Sequence, residues 1–168
     1  MPIRRLNHAV LYVRSVERSV EFYRRAFDFE VLHQSRGAAF LRAPGSTNDH
    51  DLGLFEVGEG AGDHEAGSGR VGLYHLAWEV ETLEDLRATR DRLVQLRSLV
   101  GASDHSTTKS LYAKDPDGIE FEVCWIVPKD RLDQVSSDGA GVAPLDLDAE
   151  LAAFGAETVG GLGVSWPA

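Results

Sequence analysis

The chain has one cysteine, Cys124, among 168 residues. An internal disulfide is therefore excluded, and nothing in the cysteine usage points to secretion. No apolar run approaches the roughly 18 residues that a membrane-spanning helix needs. The opening MPIRRLNHAV lacks the apolar core of a signal peptide. Basic residues are few: 17 Lys and Arg stand against 27 Asp and Glu, a formal charge of −10. A nucleic-acid partner needs a basic face, which this balance does not supply. These absences lead to the expectation of a cytoplasmic protein that acts on a small molecule, with no nucleic-acid or membrane partner. The hydrophobic content, 43%, is enough for one domain with a core of its own.

What is present is a repeat. LNHAVLYVRSVERSVEFYRRAF begins at Leu6, and LYHLAWEVETLEDLRATRDRL begins at Leu73. Each opens as a strand pattern with a histidine at its third position, His8 or His75, and passes into a helix pattern. In the first helix Val16, Val20, Tyr23 and Phe27 recur at helical spacing, with Ser15 as N-cap. In the second, Leu83, Leu86, Leu93 and Leu96 form the stripe, with Thr82 as N-cap and Asp85 in a capping-box position. Two further strands are expected in each half, near Glu30–His33 and Ala38–Ala43, and near Ser98–Ala102 and Lys109–Ala113. The halves close on LFEV, Leu54–Val57, and on EFEV, Glu120–Val123. From His8 to Glu56 is 48 residues and from His75 to Glu122 is 47. Each half thus reads as βαβββ.

The expected organisation is a single domain over 1–128, with module one at 1–60 and module two at 71–128. A Gly-rich acidic linker at 58–70 joins them. Residues 129–168 form a C-terminal extension with a short helix near Asp146–Phe154, packed on the body or on a partner subunit.

Strand alternation places i and i+2 on one face. Leu76, Trp78 and Val80 share an apolar face, as do Phe121, Val123 and Trp125. His75, Glu120 and Glu122 lie on the opposite face. Leu54 and Glu56 are likewise set opposite Phe55 and Val57. Each helix is expected to cover the apolar face, so that the His and Glu residues project from the other. A lone strand histidine or glutamate is ordinarily exposed or structural. Four residues of ligand type at matched places in two repeats point instead to a metal site. Two His plus carboxylate suit Fe(II), Mn(II), Zn(II) or Ni(II), and with open positions they form the arrangement of non-haem Fe(II) oxygenases.

The motifs LNHAVLYV, SVEFYRRAFDFEVL, HDLGLFEV, LYHLAWEV and LYAKDPDGIEFEV together resemble the vicinal oxygen chelate superfamily. That group contains glyoxalase I, extradiol ring-cleaving dioxygenases and bleomycin-resistance proteins. The resemblance runs from about Ile3 to Trp125. It implies an α+β fold in which two βαβββ modules form an open, incompletely closed barrel around a divalent metal. Within the group the chain looks closest to small two-module catechol 2,3-dioxygenase-like proteins. His8, His75 and Glu122 match their three iron ligands. His50, in HDLGLF, matches an active-site histidine near the dioxygen site. His105 and Tyr112, in DHSTTKSLY, match a His and a Tyr that contact the catecholic substrate, although on spacing alone His105 reads equally as a turn residue and Tyr112 as an ordinary strand aromatic. His33 and His64 read as surface residues.

One departure concerns Glu56, which stands where glyoxalase I carries a fourth metal ligand. His50 and Glu56 are six residues apart, about 20 Å along a regular strand, so one metal does not take both. Tyr12 occupies the place of an arginine that glyoxalase I uses to hold glutathione. The resemblance therefore implies an extradiol dioxygenase acting on a catechol and O2, with Fe(II) or Mn(II) as cofactor and a homodimer as the common assembly. His50 or His105 would be the acid–base group, and Tyr112 a hydrogen-bond donor to a developing oxygen anion. A glyoxalase-type lyase, isomerase or epimerase with Zn(II) or Ni(II) on His8, Glu56, His75 and Glu122 is the alternative. A non-enzymatic drug-binding protein is the third reading. No residue pattern names the substrate.

Overall fold

The computed structural model describes residues 2–3, 5–135 and 141–161. Of the C-terminal extension, residues 136–140 and 162–168 thus lie outside the described residues. The chain divides into two compact units. One holds the residues up to His64 together with Asp115–Gly118, and the other holds Glu65–Lys114 and the residues from Ile119 on.

The first unit runs β1 (Ala9–Val13), α1 (Val16–Phe27), β2 (Glu30–Ser35), β3 (Ala38–Arg42) and β4 (Leu52–Glu56). Its sheet order is β1-β4-β3-β2, with β1 parallel to β4 and the other pairs antiparallel. The second unit repeats this plan with β5 (His75–Glu79), α2 (Leu83–Gln95), β6 (Leu99–Asp104), β7 (Thr108–Lys114) and β8 (Glu120–Ile126). Its order is β5-β8-β7-β6, and the short strand β9 (Ala143–Pro144) adds to the edge at β6. The fold is mixed α+β with two open sheets, and no sheet of the described residues closes into a barrel.

Both helices begin where their caps dictate. Ser15 accepts a hydrogen bond from the Arg18 amide, and α1 ends on Asp28 in the left-handed region at φ 57°. Thr82 and Asp85 form a complete capping box on α2. Each helix covers one face of its sheet. Val13, Val16, Leu41, Leu52 and Leu54 are at most 1% exposed in the first unit. In the second, Leu83, Leu86, Leu93, Leu111 and Trp125 are fully buried. Burying each such side chain contributes about 1.5–3 kcal/mol.

Beyond β8 the chain forms a 3-10 turn (Lys129–Gln134) and later α3 (Leu147–Phe154), which Asp146 caps through the Ala149 amide. The Phe154 ring packs on Trp125 at 5.4 Å between centroids, and Trp125 Nε1 donates to the Thr158 carbonyl at 3.1 Å. Gly160 passes so close that a Cβ there would stand 3.1 Å from the Ile126 carbonyl oxygen and from the indole.

One expectation about faces is overturned. Leu52 and Leu54 are buried on the α1 side of their sheet, and alternation carries Glu56 to that same side. There the Glu56 carboxylate accepts the Val16 amide at 3.1 Å, satisfying an otherwise orphaned N–H at the start of α1. Phe55 and Gly53 face the other way.

Register also separates the two glutamates. Taking His8 and His75 as equivalent, Val10 pairs with Gly53 and Ala77 pairs with Glu122. The residue that corresponds to Glu122 in the first unit is therefore Gly53. Glu56, opposite Val13, corresponds instead to Trp125. The near-equal intervals of 48 and 47 residues do not reflect equivalent positions.

Candidate metal and acid–base site

In the second unit, the parallel pairing of β5 with β8 brings the first residue of β5 diagonal to Glu122. His75 Nε2 lies 3.1 Å from Glu122 Oε2. The other carboxylate oxygen, Oε1, accepts the hydroxyl of Ser110 at 2.5 Å. Tyr112 is the direct cross-strand partner of Glu122, and alternation puts Ser110 on the same face of β7. The His75 and Tyr112 rings are 5.9 Å apart, and the Tyr74 ring is 4.6 Å from that of His75.

His105 joins this row from the β6–β7 turn. Its Nε2 lies 2.8 Å from the Tyr112 hydroxyl. The turn is pinned by Asp104, which accepts the Ser106 amide at 2.8 Å and the Lys109 ammonium at 2.7 Å, and Ser106 takes φ 68°. The backbone bonds His105 N to Thr108 O, and Thr107 N to His105 O, hold the imidazole in place. His105 is thus both a turn residue and the partner of Tyr112.

Burial, reinforced by the negative charge of Glu122, raises the Tyr112 pKa, so the side chain is a neutral phenol at pH 7. A hydrogen bond from Ser110 acts in the opposite direction. Cys124 shares the Glu122 face. Its thiol is pushed up to about 12 by burial, then by Glu122 and Glu79. A thiol so placed is neither a nucleophile nor a thiolate ligand at neutral pH.

The first unit holds a different constellation. His8 lies just before β1, and its Nδ1 is 2.8 Å from the Asn7 side-chain oxygen. His50 lies just before β4, with Nδ1 3.0 Å from an Asp49 carboxylate oxygen. The two rings are 4.5 Å apart. Both imidazoles thus have Nδ1 on an acceptor and Nε2 left for other work. The preceding loop is built on Asp51, which accepts from the Ala43 amide, the Ser46 hydroxyl and the Asn48 amide group. Asn48 in turn holds the Asn7 carbonyl at 2.8 Å. Phe40 stands edge-on to His50 at 5.1 Å and to Phe55 at 5.9 Å. His33 and His64 are exposed.

The structure therefore brings His75, Glu122, Tyr112 and His105 together on one sheet, and His8 with His50 in the other unit. Glu56 is with neither group. Among the described residues, no three or more His, Cys, Asp or Glu side chains gather as a ready metal site. The donor chemistry of the second unit nonetheless fits a divalent ion. A histidine nitrogen and a carboxylate oxygen converge, and the carboxylate is steadied from behind by a hydroxyl. The buried Nδ1 of His75 has no protein partner. Ser110 was not singled out in the sequence. The signal was available, since the KSLY alternation places Ser110 beside Tyr112 and two residues from it.

Comparison with known proteins identifies relatives. The family model for the Glyoxalase/Bleomycin resistance protein/Dioxygenase superfamily matches residues 5–123. A catechol-2,3-dioxygenase of Bacillus subtilis is 32% identical over 118 residues, covering 70% of this chain and 40% of the relative. The metallothiol transferase FosB of Lysinibacillus sphaericus is 26% identical, covering 79% of this chain and 90% of the relative. In fold, the chain is similar to a crystallised glyoxylase/bleomycin resistance protein/dioxygenase domain from Frankia. The TM-score is 0.66 at 24% identity, and the match covers 79% of this chain and 99% of that one. The chain thus spans well under half the length of the Bacillus dioxygenase and nearly all of the transferase. No helix of the described residues is long and apolar enough to cross a membrane.

Proposed function

Since the chain belongs to the Glyoxalase/Bleomycin resistance protein/Dioxygenase superfamily, we propose that it is a metal-dependent extradiol dioxygenase that opens a catecholic ring with O2. The observation that carries this reading is the His105–Tyr112 pair, 2.8 Å apart on the sheet face of Glu122. In this reading His75, Glu122 and His8 hold Fe(II) or Mn(II). The ion would supply Lewis acidity and hold both reactants at one centre. Tyr112, kept a phenol by burial and by Glu122, has an O–H to offer a developing oxygen anion. His105 fixes the phenol from behind. His50, with Nδ1 engaged by Asp49, offers Nε2 as the proton acceptor and later donor. The assembly proposed is a homodimer.

Glu56 supports three protein ligands over four, because its carboxylate is committed to the Val16 amide on the helix side of its sheet. A metal-dependent lyase, isomerase or thiol transferase is the second reading. What favours it is the 90% coverage of the metallothiol transferase. The test is to load the protein anaerobically with Fe(II) or Mn(II), admit air and follow the yellow ring-opened product over a panel of catechols. Turnover is expected for at least one. Metal-loaded protein that consumes none, but converts a hemithioacetal or adds a thiol to an epoxide, would establish the second reading instead.

A further inference from the structure

We propose that the C-terminal extension serves the site of the second unit: Glu150 of α3, acting through the buried Lys109, is a positioning residue that holds the β6–β7 turn and so keeps His105 at the Tyr112 hydroxyl. This rests on the reading of the His105–Tyr112 pair as part of the ring-opening site. Lys109 on β7 is the cross-strand partner of Asp104 on β6 and of Trp125 on β8. Alternation sets it with Leu111 and Ala113 on the helix-covered face, away from Ser110 and Tyr112. Its side chain is 3% exposed, and the ammonium lies 2.7 Å from Asp104 Oδ1 and 3.2 Å from Glu150 Oε2. The Phe154 ring stands 6.0 Å from the same nitrogen.

An ammonium withdrawn from water needs anions beside it. Here one anion ends the strand that leads into the turn, and the other comes from the extension. Asp104 Oδ1 serves a second donor, the Ser106 amide at 2.8 Å, so one oxygen ties Lys109 to the turn backbone. His105 stands between Asp104 and Ser106, and its Nε2 reaches the Tyr112 hydroxyl at 2.8 Å. The extension also grips β6 through β9, where Ala143 pairs with Asp104. It is moored at the start of α2, where the Glu84 amide donates to the Ala156 carbonyl at 3.0 Å and the Gly160 amide to the Glu81 carbonyl at 2.7 Å. Without the Glu150 carboxylate the ammonium keeps one anion, and its long stem lets it turn to water and loosen Asp104. The turn then loses its support from the helix side, and the imidazole is held less firmly against the phenol.

The test compares wild type with Glu150→Ala, Glu150→Gln and, as a control, Asp148→Ala, which removes an exposed charge from the first turn of the same helix. Amide hydrogen exchange of the metal-free proteins reports on the turn, and a denaturant melt reports on the whole. Glu150→Ala is expected to speed exchange at His105, Ser106 and Thr107 by about tenfold more than at the α2 amides. After metal loading it should lower kcat for a catechol by about tenfold, with KM and metal content kept. Glu150→Gln, which keeps an oxygen for Lys109, should recover most of both, and Asp148→Ala should change neither. In a His105→Ala background, Glu150→Ala should have no further effect on kcat. Turn exchange that stays as in wild type, exchange that quickens evenly over the unit, or quicker turn exchange with unchanged kcat overturns the proposal. A wild-type protein that opens no catechol overturns the dioxygenase reading instead. The exchange comparison, which needs neither metal nor substrate, still decides whether Glu150 holds the turn.

Discussion

The two modules share element order, strand pairing and even the site of a register shift, between Val31 and His33 in one and between Leu99 and Gly101 in the other. Their open faces have different chemistry. Where the second module sets Glu122, Tyr112 and Ser110, the first sets Gly53, Phe40 and Ala38. A Cβ on Gly53 would already stand 3.4 Å from Val10 and 3.7 Å from Phe40. The first module thus presents an aromatic wall with two imidazoles at its margin, and the second a hydrogen-bonded polar row. Repetition of the backbone leaves the two faces free to take up different chemistry, because alternation keeps the core residues on the opposite side of each strand.

Substitutions that erase this difference measure it. The largest effect is expected for His75→Ala or Glu122→Gln, which remove a donor atom of the proposed site. Metal content after anaerobic loading should fall to background, and ring-cleaving activity with it. His33→Ala, on the first module, should leave both unchanged. Next comes Tyr112→Phe, which installs the first module's aromatic. The rate constant for ring cleavage should drop by about 100-fold with metal content retained. Glu56→Ala should be milder. It removes the acceptor of the Val16 amide and should cost about 1 kcal/mol in a denaturant melt, while stoichiometric metal binding survives. Loss of metal with Glu56→Ala would favour the four-ligand reading.

The smallest effect is one of pH. Tyr23 in the first module is raised well above the ordinary phenol value by burial, then by the charge of Asp115, and Cys124 in the second is raised to about 12. In the unfolded chain both ionise at lower pH than in the native state. Their contribution is therefore complete below the unfolded values and is lost as pH rises above about 9–10. Stability should decline on that alkaline limb, and Tyr23→Phe or Cys124→Ser should flatten it. Cys124 should also resist alkylation at pH 8 until the protein is unfolded.

Much of this was legible in the sequence. Helical spacing and caps located α1 and α2, because Ser15, Thr82 and Asp85 satisfy amides that every helix start leaves open. The alternation in EFEVCW placed Phe121, Val123 and Trp125 inside. The register of β4 was not legible. The modules differ in element and loop lengths, so that His8 to Gly53 spans 45 residues and His75 to Glu122 spans 47, and counting from each histidine overshot Gly53 and reached Glu56. Register is set by which amides pair, and a one-residue slip reverses the faces. His8 and His50 also fall outside their strands, on segments arranged by Asp51 and Asn48. Their placement depends on loop hydrogen bonds that no periodicity encodes.

The DPDG turn carries a consequence for how the two halves could ever be separated. Asp115–Gly118 is numbered within the second repeat but belongs to the first compact unit. There Asp117, 6% exposed at its side chain, accepts the Arg14 amide at 3.0 Å and the guanidinium groups of Arg14 and Arg18 at 3.2 and 2.8 Å. Tyr23 donates to Asp115 at 3.3 Å. A chain cut after His64 would keep both arginines and the tyrosine and lose Asp117 and Asp115, the buried anions they share, while Arg14 kept Asp63 and Arg18 kept Glu59. The first compact unit is therefore not contiguous in sequence, and a cut at the linker would remove four of its residues, Asp115–Gly118.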